Sequence, residues 1–282
     1  MNIKLTKMQG LGNDFVILDY SEYEKTGMSM SDLAKKLCNR NFGVGADGMI
    51  IPDLNPKAGS YKGTDKQFIP DIAWYFYNSD GTTAQMCGNG IRCFAKYVKD
   101  KKLVHSNQFS VGTLAGIIVP EILDDGNVKV NMSKPKVEYL NKDFNINDRD
   151  FKINSISMGN PHCVIFNGSE NLLELAQIYG PDIESHSLFP EKTNVEFVKV
   201  ISKNEIDMRV YERGCGITLA CGTGACASVV AGILNNLTEN KVKVNLLGGS
   251  LIIEWQGSSE NYNYDVFMSG PAEYSFFAEY IL

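Results

Sequence analysis

The sequence predicts an α/β (α+β) protein built from two pseudo-symmetric domains, with more strands than helices. A length of 282 residues, 44% of them hydrophobic and 21% charged, gives enough apolar material for two cores of ordinary size. Period-two strand patterns recur along the chain, and only a few stretches carry helical spacing. One motif, a cysteine followed by Gly-x-Gly and a helical run, occurs once in each half, the mark of a duplicated unit.

From the N-terminus, residues 3–7 and 15–18 read as strands flanking the turn Gln9-Gly10-Leu11-Gly12. A short helix is expected over residues 31–37, with Ser29 or Ser31 as its N-cap. Residues 52–70, rich in Pro, Gly and Lys without periodicity, read as a surface insertion. Residues 73–77 are aromatic and β-prone, and Asn78-Ser79-Asp80-Gly81 ends them in a turn. A helix over about 91–99 follows the glycines of the first motif. In the second half, strands are expected at 128–132, 153–157 and 163–166, then a helix at 172–178. Strands at 194–200 and 206–211 precede a small-residue helix over about 224–234. Further strands fall at 242–246, 251–255, 264–268 and 274–280. An apolar strand gives way to a turn at 120–125, so the expected domains are residues 1–120 with 271–282, and residues 121–270.

Composition excludes several classes of function. The formal net charge is −6, and no stretch is basic enough to follow a phosphate backbone, which argues against nucleic acid as the main ligand. No apolar run approaches the length that spans a bilayer. The first ten residues lack the apolar core and cleavage site of a secretory signal. A reducing cytoplasm is therefore expected, in which the seven cysteines are free thiols. Their odd number excludes a complete disulfide framework in a monomer. Neither Cys-x-x-Cys nor His-Glu-x-x-His spacing occurs, so no metal site is expected.

The repeat carries the chemistry. Met86-Cys87-Gly88-Asn89-Gly90-Ile91-Arg92-Cys93 in the first half matches Ala220-Cys221-Gly222-Thr223-Gly224-Ala225-Cys226 in the second. Glycines bring backbone N–H groups close to a ligand, and the helix start behind them leaves donors unsatisfied beside a partial positive charge. Such a turn grips a carboxylate without a basic side chain and favours thiolate at an adjacent cysteine. Two such turns suit inversion of a carbon that bears a hydrogen. One sulfur removes the proton from one face, and the other delivers a proton to the opposite face. No pyridoxal or metal signature appears, so no cofactor is expected. Cys38, Cys93, Cys163 and Cys226 read as packed core residues. Cys215, in the turn Gly214-Cys215-Gly216, is left without a role.

The chain resembles the diaminopimelate epimerase family along nearly its whole length. The resemblance runs from Met8-Gln9-Gly10-Leu11-Gly12-Asn13-Asp14-Phe15 to Ser269-Gly270-Pro271-Ala272. Between them lie Gly43-Val44-Gly45-Ala46-Asp47-Gly48, Gly159-Asn160-Pro161-His162, Thr193-Asn194-Val195 and Glu212-Arg213-Gly214, with both cysteine turns. The resemblance implies two similar domains, each a barrel-like, mostly antiparallel sheet wrapped round a central helix, with the active site in the cleft between them. It implies interconversion of the LL and meso isomers of 2,6-diaminopimelate without a cofactor, commonly by a homodimer. Cys87 and Cys221 then correspond to the acid/base pair. Gly88, Asn89, Gly222 and Thr223 correspond to the cradle for the reacting carboxylate. Asn13, Asn78, Asn160, Asn194, Glu212 and Arg213 correspond to the clamp on the distal amino-acid end. That clamp is chemically sensible, since a carboxylate suits an ammonium and the planar guanidinium fork suits a carboxylate. His162 reads equally as a turn residue or an aid to catalysis, and His105 and His186 match nothing.

One departure stands out. Ile217 occupies a position that is commonly acidic in the family, in the stretch Gly214-Cys215-Gly216-Ile217-Thr218. Two other readings compete. A racemase of the same architecture could act on histidine, proline or hydroxyproline, although proline racemase-like proteins usually carry His where Asn89 stands. A redox-sensing protein could join Cys87 and Cys221 reversibly, a rare use of cytosolic thiols.

Overall fold

The structure is a computed structural model that describes residues 1–62, 65, 67–168 and 170–282. Part of the expected insertion at 52–70 therefore lies outside the described residues. The chain forms two compact units, residues 1–130 with 270–282, and residues 131–269.

In the first unit the elements are β1 (Asn2–Gly10), β2 (Asn13–Ile17), α1 (Tyr20–Lys25), α2 (Met30–Cys38), β3 (Gly48–Asp53) and β4 (Ile72–Asn78). Then come α3 (Gly88–Asp100), β5 (Val111–Thr113), β6 (Gly116–Ile118), β7 (Glu121–Ile122) and β8 (Val128–Asn131). The second unit contains β9 (Lys136–Ile146), β10 (Arg149–Ser157), β11 (Pro161–Phe166), α4 (Leu172–Glu184), β12 (Asn194–Ser202), β13 (Glu205–Glu212) and β14 (Gly216–Ile217). It continues through α5 (Gly222–Leu234), β15 (Lys241–Leu246), β16 (Gly249–Trp255) and β17 (Val266–Gly270). The last strand, β18 (Glu273–Ile281), returns to the first unit.

Each unit follows the same path. In the first, β1 pairs antiparallel with β2, β2 parallel with β3, β3 antiparallel with β4, and β4 parallel with β5. In the second, β10, β11, β12, β13 and β15 repeat that series of antiparallel and parallel pairings. Both parallel joins in each unit are helical crossovers, as parallel neighbours require. The duplication expected from one short motif thus extends to the order and sense of the strands.

Two layers of helix cover each sheet. Helix α2 packs on β3 and β4, burying Leu33, Ala34 and Leu37 against Val16, Met49 and Ile51. Its N-cap is Ser29, whose side chain accepts from the Asp32 N–H. Helix α4 plays the same part in the second unit, with Leu172, Leu175, Ala176 and Ile183 against Cys163, Ile165, Val195 and Phe197. On the other face, α5 touches β10, β11, β12, β13, β15 and β16, so this sheet curves round it. Helix α3 likewise lies against β1, β2 and β3, with Ile91, Phe94, Ala95 and Val98 buried. Because both faces are covered, β3 and β12 read as near-continuous apolar runs rather than alternations.

This topology fixes where chemistry can occur. In the first unit the start of β2, the start of β3, the end of β4 and the N-terminus of α3 share one edge of the sheet, by the pairing senses above. The second unit brings the starts of β11 and β12, the end of β13 and the N-terminus of α5 together in the same way. On that edge α3 begins after β4 and α5 after β13, so each unit opens a helix N-terminus there.

Candidate active site

Both central helices begin on a cysteine. Cys87 is the N-cap of α3 and Cys221 is the N-cap of α5, each in extended backbone. The helices start at Gly88 and Gly222, earlier than expected from the apolar pattern, because their first turns are glycine-rich and carry no apolar period. The leading backbone donors of both helices are therefore available to an anion.

The surroundings of Cys87 are amides with fixed orientations. Its sulfur accepts from the Gly90 N–H at 3.4 Å and donates to Asn13 Oδ1 at 3.4 Å. Asn89 Nδ2 donates to the same Oδ1 at 3.2 Å, while Asn89 Oδ1 accepts from Arg92 at 3.0 Å. Asn13 Nδ2 donates to Asp47 at 2.6 Å. Charged groups at both ends therefore dictate which way the two amides point. Asn13 is delivered by a two-residue hairpin turn, Leu11-Gly12, in which both residues have positive φ (56° and 84°). Asn78 ends β4 and donates to Thr82 Oγ1 at 3.0 Å, within the turn expected there.

Charges underpin this corner. Asp14 pairs with Lys7 at 2.7 Å and Arg40 at 2.9 Å, and Arg40 also reaches Asp47 at 2.8 Å. Burial pushes the Asp14 carboxyl up, but the Arg40 and Lys7 hydrogen bonds and the Lys7 charge outweigh it and hold it at about 2. Arg92, fully buried, donates to the carbonyls of Gly88 and Pro271 at 3.1 Å each. Sequence reasoning gave Asp14, Arg40, Asp47 and Arg92 no role. Asp47 stood within a matching stretch, but its partners come together only in the fold.

Cys221 sits among acids. It is 5% exposed, and its sulfur lies 3.6 Å from Thr223 Oγ1. Burial raises its thiol well above the ordinary range, and the charges of Glu212 and Glu196 push the same way. The Thr223 hydroxyl and the Gly224 peptide oppose them. Glu212 is itself raised, first by burial, with the Thr218 hydroxyl that donates to it pulling down. Asn160 Nδ2 donates to Thr223 Oγ1 at 3.3 Å, and Asn160 Oδ1 lies 3.2 Å from His162 Nε2. His162 Nδ1 meets Glu196 Oε1 at 2.7 Å, both side chains fully buried. His162, Glu196 and Cys221 lie together, but that short contact commits the histidine nitrogen and the carboxylate oxygen to each other.

The remaining expected residues of this unit are Asn194 and Arg213, joined through the Arg213 N–H. Asn194 begins β12, donates to the Pro161 carbonyl at 2.8 Å and accepts from the Arg213 N–H at 3.0 Å. It braces the strand ends beside the site. Arg213 is exposed, its guanidinium donating to the Glu191 carbonyl at 3.0 Å. Ile217 is half-buried and pairs with Tyr211. Cys38, Cys93 and Cys163 are buried, and burial raises each thiol, Cys38 and Cys93 to about 12. They and the buried Cys226 fit their reading as packing residues. Cys215 is exposed.

Within the first unit, Asn13, Cys87, Gly88 and Asn89 thus form one hydrogen-bonded group. Within the second, Asn160, His162, Glu196, Glu212, Cys221 and Thr223 form another. The diaminopimelate epimerase family matches residues 5–138 and 154–275.

The chain belongs to the diaminopimelate epimerase family.

The diaminopimelate epimerase of Halothermothrix orenii is 45% identical, over 97% of this chain and 96% of its own length. That of Carboxydothermus hydrogenoformans is 44% identical, over 99% and 100%. Among solved structures, a Bacillus anthracis phenazine biosynthesis protein of the PhzF family superposes with a TM-score of 0.69 at 13% identity, covering 100% of both chains. A hydroxyproline epimerase from Agrobacterium vitis gives 0.64 at 13%, covering 99% of this chain and 91% of its own. Both share the fold of this family member. No helix among the described residues is long and apolar enough to cross a membrane.

Proposed function

We propose that the chain is a cofactor-independent epimerase that interconverts LL- and meso-2,6-diaminopimelate through two cysteines, in the route to lysine and cell-wall precursors. One observation carries the reading. Two topologically equivalent helices each start on a cysteine, one sulfur held among amides and the other among acids. Membership of the family supports the substrate.

The reaction requires one sulfur on each face of the α-carbon. A thiolate takes the α-proton, forming S–H, and the electron pair of the broken C–H bond spreads into the carboxylate. The other thiol then gives its proton to the opposite face, forming the new C–H bond and leaving a thiolate. The sulfurs exchange roles in the reverse direction. The helix starts at Gly88-Asn89 and Gly222-Thr223 hold the carboxylate as its charge grows. Family resemblance assigns the distal amino-acid group to Glu212 for its ammonium and Arg213 for its carboxylate, together with Asn13, Asn78, Asn160 and Asn194. Family resemblance also favours a cytoplasmic homodimer, which light scattering of the purified protein checks.

Incubation of LL-diaminopimelate in D₂O without added cofactor is expected to yield the meso isomer with deuterium at the inverted carbon. Cys87→Ala and Cys221→Ala should each lower turnover by on the order of a hundredfold or more. Undiminished turnover in either variant would rule out the two-base mechanism. A site built for two charged ends leaves buried groups unpaired with single-headed amino acids, so kcat/KM for lysine, histidine and proline should fall by on the order of a thousandfold. Comparable values for lysine and diaminopimelate would reduce the reading to a racemase of another substrate.

A further inference from the structure

Glu196 is an acid in the middle of an apolar strand, between Val195 and Phe197 of the outer core. Its side chain is fully buried. One carboxylate oxygen meets His162, and the other, Oε2, is buried with no hydrogen-bond partner among the described residues. An ionised carboxyl persists in such a place when a cation or a strong donor faces it. The imidazole at 2.7 Å is that group. The fold also makes room for the carboxylate, since a Cβ on Gly224 would stand 2.6 Å from Glu196 Oε1. Resting on the assignment of Cys221 as an acid/base group, we propose that Glu196 is a positioning residue: through His162, Asn160 and Thr223 it sets the direction of a hydrogen-bond relay that ends on Cys221.

The relay has two opposed directions. Glu196 Oε1 takes the Nδ1–H of His162 in both. When Nε2 also carries a proton, it donates to Asn160 Oδ1 at 3.2 Å, and Asn160 Nδ2 donates to Thr223 Oγ1 at 3.3 Å. The Thr223 proton is then directed at the sulfur, 3.6 Å away, which accepts it as thiolate. When Nε2 is bare, it would oppose Asn160 Oδ1, acceptor against acceptor. The amide then turns over, its NH₂ donating to Nε2 and its oxygen accepting from Thr223. The Thr223 oxygen is now free to accept the S–H of Cys221. The proton count is equal in both states: imidazolium with thiolate, or imidazole with thiol. The Glu196 charge favours the first.

The titratable groups facing Cys221 among the described residues are Glu212 from β13, Glu196 from β12 and His162 from β11. Through space alone, the Glu196 charge disfavours a thiolate on Cys221. The relay predicts the opposite, so the sign of one measurement separates them. Glu196→Gln keeps an acceptor for Nδ1–H and removes the charge. The rate of alkylation of Cys221 by iodoacetamide is followed against pH by peptide mass spectrometry, without substrate. The relay predicts a midpoint raised by about one pH unit, with roughly tenfold slower alkylation at pH 8. A lowered or unchanged midpoint overturns it. Should that variant fail to fold, the wild type suffices, since the chain has only 3 histidines. The ring nitrogen shifts of His162 and the alkylation of Cys221 must then report the same midpoints, and independent midpoints overturn the coupling. Neither measurement uses diaminopimelate, so an inactive substrate leaves the relay testable.

Discussion

The amide of Asn13 has one orientation open to it, because its NH₂ is held by Asp47 and its oxygen receives Asn89 and Cys87. Asp47 is held in turn by Arg40, which it shares with Asp14. The Asp14 carboxyl is drawn down from 3.8 to about 2 in the folded chain. A depressed carboxyl stabilises the fold fully above its unfolded value and loses that contribution as pH falls through its folded value. Asp14→Asn should therefore lower Tm by on the order of 5 °C near neutrality, and the gap should close between about pH 4 and pH 2. A gap that stays constant over that range would show that Asp14 contributes packing rather than charge. The position of Cys87 and Cys221 at two helix starts was legible at this scale because one motif occurs twice. Glu196 was hidden, since a single acid in an apolar strand has no period to reveal it. Asp47 and Arg40 were hidden because what gives them meaning is a set of partners brought in by folding.

The two motifs look interchangeable in sequence, yet the glycine three residues after each cysteine has a different task. A Cβ on Gly90 would meet Cys87 Cβ and Phe15 at 3.4 Å, ordinary contact. A Cβ on Gly224 would meet Glu196 Oε1 at 2.6 Å and Cys221 Sγ at 3.2 Å. Replacing a helical glycine by alanine favours the helix by about 1 kcal/mol, so Gly90→Ala should fold with unchanged or slightly raised Tm. Gly224→Ala should lower both Tm and turnover, because the carboxylate it displaces is fixed on His162. Thermal unfolding and kcat of the two variants check this, and equal tolerance at both positions would contradict it. Elements marked by a period, an apolar run or a helical composition between turn signals were legible, among them α2, β4, β10 to β13 and α5. Strand β3 was not, because covered faces erase alternation and its Pro52 made it look like the start of an insertion. Strand β9 was missed because it is mostly exposed and polar. Helix α4 runs on to Glu184 past Pro181, where the sequence expectation stopped at 178 because a proline inside a helix removes a backbone hydrogen bond.

At the scale of the molecule, the first unit is discontinuous in sequence and the second is not. Strand β18 closes the first sheet by pairing along β1, from Asn2↔Ile281 to Gln9↔Glu273. It is preceded by Pro271, whose carbonyl accepts from Arg92 beneath the first turn of α3. A chain ending at Gly270 should lose amide protection throughout the first unit while β10 to β13 keep theirs, as hydrogen exchange would show. Equal loss in both units would mean that they unfold as one. The chain divides at Val130/Asn131, at the end of β8 and later than the turn at 120–125. The strand path was not legible at all, since which strands pair is a property of the crossovers and not of any local pattern.

The repeated strand path has a consequence for what symmetry permits. Two identical half-length chains related by a twofold axis would present two cysteines, but every neighbour of one would be a neighbour of the other. A single chain that contains both halves is free of that constraint. It can surround one sulfur with amides and the other with carboxylates, so the two are inequivalent before any ligand arrives. The proposed reaction draws an acid and a base from the same kind of side chain; it needs such a difference to start from, and a fold written twice in one chain makes it available.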